Sequence, residues 1–401
     1  MLNLKVIGAG AAGNKAVITL LNEGFDKKNV LLINSTSKDI PEEYRDISMI
    51  FGNNTLGGCG KEREIGKDLI LNDLKSNNIS LDNFPDPDTN AIVIVSSTEG
   101  GSGSASAPIL AKYVNDVLGI PAIVCFFFGF NTDVRGMQNS IEACQDLSDE
   151  FGVIGISNSK FVDEANGNYR KAETLANEHF VKLIKILSGE GIQSSGQNID
   201  DTDLYKLITT PGYMRIEQAS ISKIKNVDQF NKAVTAAIDE SHLMECPSGA
   251  KRSGYIFDIT ESISDAIDYN IDVVKSAYGT PYEIYTQVQY TDHPSTVTWI
   301  VTGLPLPINE VQEIYDNYLT ASSNVNKSHD EFFASVSGMK GNEEDNMFNM
   351  FGKKKAKKDK SSFFADLGVK DNNPKPIVKN NNGGTNVVTK QHQGNDAKNE
   401  Y

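Results

Sequence analysis

Strand-like runs recur along the first 165 residues, at positions 5–7, 30–33, 91–95, 122–128 and 153–156, with helical spacing between them, and the run at 91–95 is continuously apolar. Runs that are continuously apolar, with no polar alternation, are what strands covered on both faces require. The pattern therefore predicts a doubly wound parallel sheet. Each run ends in a loop rich in Gly, Ser or Asn, and in such sheets ligands bind beyond the carboxyl ends of the strands. From 169 to 187, Ala172, Leu175, Ala176, Phe180, Leu183, Ile184 and Leu187 recur at helical intervals until Gly189, which predicts one helix of about 28 Å. Residues 204–320 change texture. Helical stretches at 229–243, 262–278 and 309–319 interleave with alternating β patterns at 254–260, 282–290 and 296–303, predicting a second α/β domain. Beyond Ala321 periodicity is lost, and the Asn, Gly and Lys content of 371–390 predicts a disordered tail. The expected organisation is a parallel-sheet domain over 1–167, a central connecting helix over 168–190, a smaller α/β domain over 191–320, and a flexible tail over 321–401.

Charge changes this picture by its distribution. The chain of 401 residues has a net charge of −15, but residues 340–401 carry 12 Lys and 8 acidic residues, leaving −19 on the rest. An acidic body repels nucleic acid, so direct DNA binding by the core is not expected. Contact with DNA or a DNA-bound adaptor should run through the tail, where 353–358 is strongly basic. The alternative for that tail is an entropic spacer. Cys59, Cys125, Cys144 and Cys246 are widely spaced and include no C-x-x-C pair. Neither a disulfide framework nor a zinc site is indicated, and a reducing cytoplasm fits best. No signal peptide and no apolar run of transmembrane length is read.

Candidate chemistry gathers after the strands. Residues 96–108 place a small-residue loop between a buried strand and a helix, where the N–H groups of Gly100, Gly101 and Gly103 and the hydroxyls of Ser102 and Ser104 suit a phosphate. Gly8, Gly10 and Gly13 match the dinucleotide fingerprint in form. The second strand ends in Asn34, however, where a nicotinamide enzyme wants a carboxylate for the ribose. Residues 60–68 have the wrong spacing for a P-loop and lack its Mg²⁺-binding hydroxyl. Four loops remain after the strands of one sheet, at 8–14, 34–37, 57–61 and 99–105, and together they form a multi-loop phosphate site. Farther on, Asn198, Asp200 and Asp203 form an acidic segment before a helix starting near Leu204, where helix capping is one reading.

The order and content of these loops resemble the tubulin/FtsZ superfamily of GTPases over residues 1 to about 305, most closely its plasmid and phage branch, the TubZ- and PhuZ-like proteins. Gly100-Gly-Ser-Gly-Ser104 stands where that family has its glycine-rich signature, and 58–63 is most like that branch. The resemblance implies a Rossmann-like GTPase domain using GTP/GDP and Mg²⁺. It implies nucleotide contacts from the residues above and from Asn14, Lys15, Gly58, Gly60 and Lys61. Asp133 or Arg135 would reach ribose or base, and the Asn177–Glu178 pair would read guanine. It further implies a head-to-tail homopolymer in which Asp200 and Asp203, with Asn198 shaping their loop, orient the attacking water on a neighbour's GTP. That separation is physically sensible, because carboxylates beside a triphosphate repel it. Glu99 and Ala105 depart from the signature, and Glu173 stands where division proteins often stack an aromatic residue on guanine. The reading that follows is a GTP-dependent filament positioning or segregating phage or plasmid DNA in a bacterial cytoplasm. Its alternatives are a division-ring protein, a poorly hydrolysing scaffold, and a Rossmann oxidoreductase that gives Asp200 and Asp203 no role.

Overall fold

The structure, a computed structural model, describes residues 1–52, 57–147, 150–192 and 199–322. In chain order the first half comprises β1 (Leu4–Ala9), α1 (Gly10–Asn22), β2 (Val30–Asn34), β3 (Ser48–Ile50), α2 (Arg63–Lys75), β4 (Ala91–Ser97), α3 (Ser102–Tyr113), β5 (Ala122–Phe128), α4 (Val134–Gln145), β6 (Gly152–Ser157) and α5 (Tyr169–Ser188). The second comprises α6 (Asp201–Ile208), β7 (Gly212–Ser220), α7 (Val227–Asp239), β8 (Arg252–Ile259), α8 (Asp272–Tyr278), β9 (Glu283–Tyr290), β10 (Thr296–Leu304) and α9 (Ile308–Ala321). The described strands join in one ten-stranded sheet of order β3-β2-β1-β4-β5-β6-β7-β10-β8-β9.

Strands β1 to β6 are parallel throughout. Every residue of β1, β2, β5 and β6 is buried, because helices cover both faces of the sheet and leave no polar side to alternate with. The pleat still sorts the side chains. Ile92 and Ile94 enter one core with Val124 and Phe126, while Val93 and Val95 enter the other with Ile123 and Cys125. The parallel half joins the rest through a narrow seam, where β6 meets β7 at Gly152↔Gly212 and Val153↔Tyr213. Beyond it β10 runs antiparallel between β7 and β8, and β9 lies parallel at the edge.

Helix α5 starts at Asn168, whose side chain accepts the Lys171 N–H, and stops at Gly189 with φ of 78°. Its Ala172, Ala176, Phe180, Leu183 and Leu187 face is buried. Twenty residues give a length of about 30 Å. Its end is tied to the start of the sheet by the Leu2 N–H, which donates to the Ser188 carbonyl at 2.9 Å.

Three expectations need correction. The helix expected over 262–278 is a 3-10 turn, Glu261–Ala266, followed by the short α8. The break falls at Ile271, which has φ of 44°, because Asp268 accepts the N–H groups of Asn270 and Asp272 and closes a local turn. The helix expected over 229–243 is α7, and Leu243 instead bridges to Ile156 of β6. Strands β3 and β7 were not anticipated. The tail from residue 323, with its basic segment, and Asn198 lie outside the described residues. Among the described residues no helix is long and apolar enough to cross a membrane.

Candidate nucleotide-binding site

Glycines do two different jobs at the carboxyl ends of β1, β2 and β4. Some are places where backbones meet. Gly10 has φ of 73°, and a Cβ there would stand 2.8 Å from the backbone of Gly103. A Cβ on Gly101 would stand 2.8 Å from the backbone of Lys61, and one on Gly66 would stand 2.6 Å from the carbonyl oxygen of Gly101. A Cβ on Gly8 would lie 2.7 Å from the Asn14 Oδ1, and one on Gly13 would clash with the Val95 carbonyl, so α1 packs directly on β4. The loops after β1 and β4 and the loop before α2 are thus locked together backbone against backbone. Other glycines face open space. Gly58, Gly60 and Gly100 have nothing within 4 Å of a Cβ position, which leaves the mouth accessible to a ligand.

The polar groups divide in the same way. Ser35 and Ser102 share a hydroxyl–hydroxyl hydrogen bond between the loops after β2 and β4. Asn34 is buried; its Oδ1 accepts the Ser35 N–H and its Nδ2 donates to Asp39. Ser104 is fully buried, donates to the Gly100 carbonyl, and accepts from Arg63 Nε at 3.0 Å, so its hydroxyl serves the loop's own shape. Sequence reasoning missed Arg63. Buried to 2 % exposure, it also donates to the Ser104 carbonyl and to Asp146 at 2.6 Å, binding α2 to α3 and α4. The only sequence signal was an arginine among the charges before α2.

Asn14 departs from this satisfaction with both of its side-chain polar atoms. It is fully buried, and neither its Oδ1 nor its Nδ2 has a hydrogen-bond partner. Leaving such groups unpaired costs about 1–3 kcal/mol each. A donor and an acceptor held without partners beside Gly8 fit a polar ligand at this loop. Lys15 is exposed one residue farther along α1.

Two ion pairs join the loop before α2 to the loop after β5 and the first turn of α4: Lys61 with Asp133 at 2.6 Å and Arg135 with Glu62 at 3.0 Å. Asp133 also caps α4 by accepting the Gly136 N–H. Lys61 first, and that N–H second, hold its carboxyl below the usual range. Glu99 is half-buried with its carboxylate under the loop after β5, against Gly129 and Gly136, where it accepts the Asn131 N–H at 2.8 Å. Burial pushes its carboxyl up, partly offset by that N–H and by Lys61. The Asn139 amide donates to the carbonyls of Lys61 and Glu99 at 2.9 and 3.0 Å, fixing both loops.

On α5, Asn177 is half-buried and Glu178 exposed, on a helix that packs beside α1. In its first turn Tyr169 stacks on Phe130 with ring centroids 4.6 Å apart. This aromatic pair, drawn from the loop after β5, was not anticipated. Glu173 lies one turn along the same helix and near enough to Glu99 to disfavour its charge.

The acidic segment lies elsewhere. Asp200 caps α6 by accepting the Asp203 N–H at 2.8 Å, as the capping reading had it. Asp201 pairs with the Met1 ammonium at 2.8 Å. These residues stand at the start of β1 and the end of α5, whereas the glycine loops stand at the end of β1. The six residues of β1 separate them by about 20 Å. The fold brings Gly8, Gly10, Gly13, Asn14, Asn34, Lys61, Gly100 to Ser104, Asp133 and Arg135 to one end, and Asp200 and Asp203 to the other.

Glycine loops converging beyond a parallel sheet, with an unpaired buried amide and paired cations at the mouth, are what an anion site in an α/β domain is built from. Residues 3–166 match the profile of the Tubulin/FtsZ family, GTPase domain. The cell division protein FtsZ of Mycoplasmopsis pulmonis is 25% identical over 78% of this chain and 81% of its own length. The tubulin-like protein CetZ2 of Haloferax volcanii is 22% identical over 57% of this chain and 66% of its own. Among solved structures, the TubZ of Clostridium botulinum phage c-st has a TM-score of 0.60 at 17% identity, covering 80% of this chain and 98% of that one. A GTPγS-form protofilament of the TubZ of Bacillus thuringiensis serovar israelensis has a TM-score of 0.66 at 16% identity, covering 84% and 94%. The chain therefore has the tubulin/FtsZ fold, and the oxidoreductase alternative is set aside.

Proposed function

We propose that this chain is a GTPase that polymerises head to tail, each catalytic site being completed by the acidic segment of the next subunit. The observation that carries this reading is the separation of the two half-sites by the length of β1, with the N-terminus paired to Asp201 at the far end. Within one chain the carboxylates cannot reach the glycine loops. A contact between unlike ends does not close on itself, so it propagates as a filament. The proposed division is a GTP-binding domain over 1–167, a connecting helix over 168–190 and an assembly domain over 191–320.

In this reading the backbone of Gly100 to Gly103 and of Gly8 to Gly13 binds phosphate oxygens, with the Ser102 hydroxyl donating. Lys61 leaves Asp133 for a phosphate, and Asn14 spends its unpaired amide on the ligand. Asn177 and Glu178 face the base. Mg²⁺ enters with the phosphates and neutralises part of their charge. Asp203 and Asp200 orient the attacking water, and positioning of this kind is most of what phosphoryl transfer asks of a protein. The nucleotide-bound protofilament formed by the B. thuringiensis TubZ supports the assembly part, and the cargo proposed for the filament is phage or plasmid DNA, positioned or segregated in a bacterial cytoplasm. A DNA-bound adaptor would attach at 353–358. The first curated relative, a cell division protein, favours a division ring as the second reading. Filaments that track a replicon, against filaments that mark the division plane, separate the two in cells.

The test is GTP turnover against protein concentration with light scattering in parallel. Turnover per subunit should rise above a critical concentration. Asp200→Asn keeps the α6 cap, since Asn caps as well as Asp, and should still polymerise while losing turnover about 100-fold or more. Turnover independent of concentration overturns the reading, and a fully active Asp200→Asn leaves Asp200 a cap alone.

A further inference from the structure

The two edges of the sheet are finished differently. At one, β3 is three residues long, a common way to blunt an edge. At the other, β9 runs eight residues in unbroken register with β8, from Arg252↔Glu283 to Ile259↔Tyr290, and among the described residues its outer side pairs with no strand. The strand contains no Pro and no Lys. Its one charge, Glu283, is engaged by Arg252 and by the Tyr285 hydroxyl.

Backbone direction fixes which residues face outward. The Glu283 and Thr291 N–H groups donate to the Lys251 and Ile259 carbonyls of β8 and its approach. Odd-numbered residues therefore point toward β8, and Ile284, Thr286, Val288 and Tyr290 turn their N–H and C=O groups to the free edge. The same even-numbered residues share the outer face, where Tyr282 is 64%, Ile284 43% and Tyr290 56% exposed. Tyr269, also exposed, extends this patch beside Tyr290.

The order of these residues is symmetric about Thr286: Tyr282, Ile284, Thr286, Val288, Tyr290. We propose that β9 is a self-pairing edge, joining a second copy of this chain by antiparallel β9–β9 addition with Thr286 on the two-fold axis. Ile284 then faces Val288 of the other copy, and the outer tyrosines face one another, pairs of the kind that stabilise antiparallel ladders. The outward N–H and C=O groups of Ile284, Thr286 and Val288 are satisfied reciprocally, as an isologous contact requires. Charge agrees. A body this acidic repels its own copies, yet the outer face of β9 is uncharged. Antiparallel docking also brings the exposed Lys251, next to Tyr282, toward the exposed Asp292 beyond Tyr290 of the partner copy. The contact is independent of nucleotide and of the head-to-tail assembly proposed above, and it would link filaments side by side.

Sedimentation of the full chain without nucleotide, up to about 0.1 mM because an edge contact is at the small end of interface sizes, should show a concentration-dependent doubling of mass. Thr286→Pro removes an N–H that faces solvent, a change edge strands tolerate. It should stay monomeric while keeping nucleotide binding, which reports that it folds. Cross-linking fixes the register. Directly opposed Cα atoms lie about 5.5 Å apart, within disulfide reach. Thr286→Cys should therefore cross-link to itself on oxidation above the wild-type background, whereas Ile284→Cys and Val288→Cys should cross-link only when mixed. A wild type that is monomeric throughout and a Thr286→Cys chain at background overturn the proposal. So does a Thr286→Pro chain that still dimerises. Dimerisation only after removal of residues 323–401 also overturns it, and identifies the tail as the occupant of the edge.

Discussion

The two ends of β1 are made of opposite materials. At the carboxyl end are glycine backbones, hydroxyls, an unpaired amide and the cations Lys61 and Arg135, each neutralising a carboxylate, Asp133 and Glu62. At the amino end are Asp200, Asp201 and Asp203, with the Met1 ammonium as partner of one of them. Two unit charges 4 Å apart interact by about 4 kcal/mol at an effective dielectric of about 20. Acidic residues placed among the phosphate loops would thus cost the ligand several kcal/mol. Putting them at the other end lets each face be finished for its own task, and it makes activity a property of the contact.

The sharpest way to break this comparison is to disable opposite ends in different molecules. Gly100 faces open space with no left-handed φ, so Gly100→Asp folds without a clash yet puts a carboxylate in the anion site. It should lose nucleotide affinity by about 100-fold or more. Mixed with Asp200→Asn, also inactive alone, it should restore turnover, because a junction between the intact glycine end of one and the intact acidic end of the other is competent. An unchanged rate in the mixture would rule out a shared site.

A smaller effect separates two buried amides within one end. Asn139 is buried and satisfied by carbonyls of both mouth loops, whereas Asn14 is buried and unsatisfied. Asn139→Leu should destabilise the nucleotide-free chain by about 1–3 kcal/mol by stranding those carbonyls. Asn14→Leu should stabilise it by about 1 kcal/mol and weaken nucleotide binding about 10-fold, because it removes groups that only a ligand satisfies. Thermal midpoints with and without nucleotide read both signs. Equal behaviour of the two variants would remove Asn14 from the ligand.

What was legible in the sequence follows from the same physics. Strands β1, β2 and β4 to β6 are buried on both faces, so their residues are mostly apolar, with Lys5 the one charge among them, and the loops after them inherit their place at the site. Strand β7 was missed because Arg215 and Glu217 interrupt it. They are buried against each other at 2.6 Å, with the Trp299 Nε1–H and the Tyr278 hydroxyl donating to the same carboxylate. The charges read as surface because the Tyr278 and Trp299 that complete their burial lie 61 and 82 residues from Glu217. The clasp made by Arg63 was hidden for the same reason, since Ser104 and Asp146 are brought to it only by the fold, whereas the break at Ile271 is a local turn at Asp268 that helical spacing alone does not register. The glycines were legible as a set but not by role. Spacing does not distinguish Gly103, pressed against Gly10, from Gly100, whose Cβ position faces open space.

Glu99 gives the finest version of the comparison, as the one carboxylate within the glycine signature. Its side chain is folded under the loop after β5 and receives the Asn131 N–H, so its charge is kept out of the open mouth at Gly100. Burial raises its carboxyl above the ordinary range. The folded chain therefore holds the proton more tightly than the unfolded chain does. Between the ordinary carboxylate pKa and the raised one, folding takes up protons, and stability falls as pH rises through that window. Glu99→Gln keeps an acceptor for the Asn131 N–H and removes the charge. It should raise the thermal midpoint at pH 7, the gain shrinking to nothing as pH drops below about 4, where the glutamate is protonated in both states. Nucleotide affinity should change little, because the carboxylate is turned from the mouth. A large gain in affinity would mean that Glu99 faces the phosphates after all, and a midpoint independent of pH in the wild type would mean that its burial costs nothing.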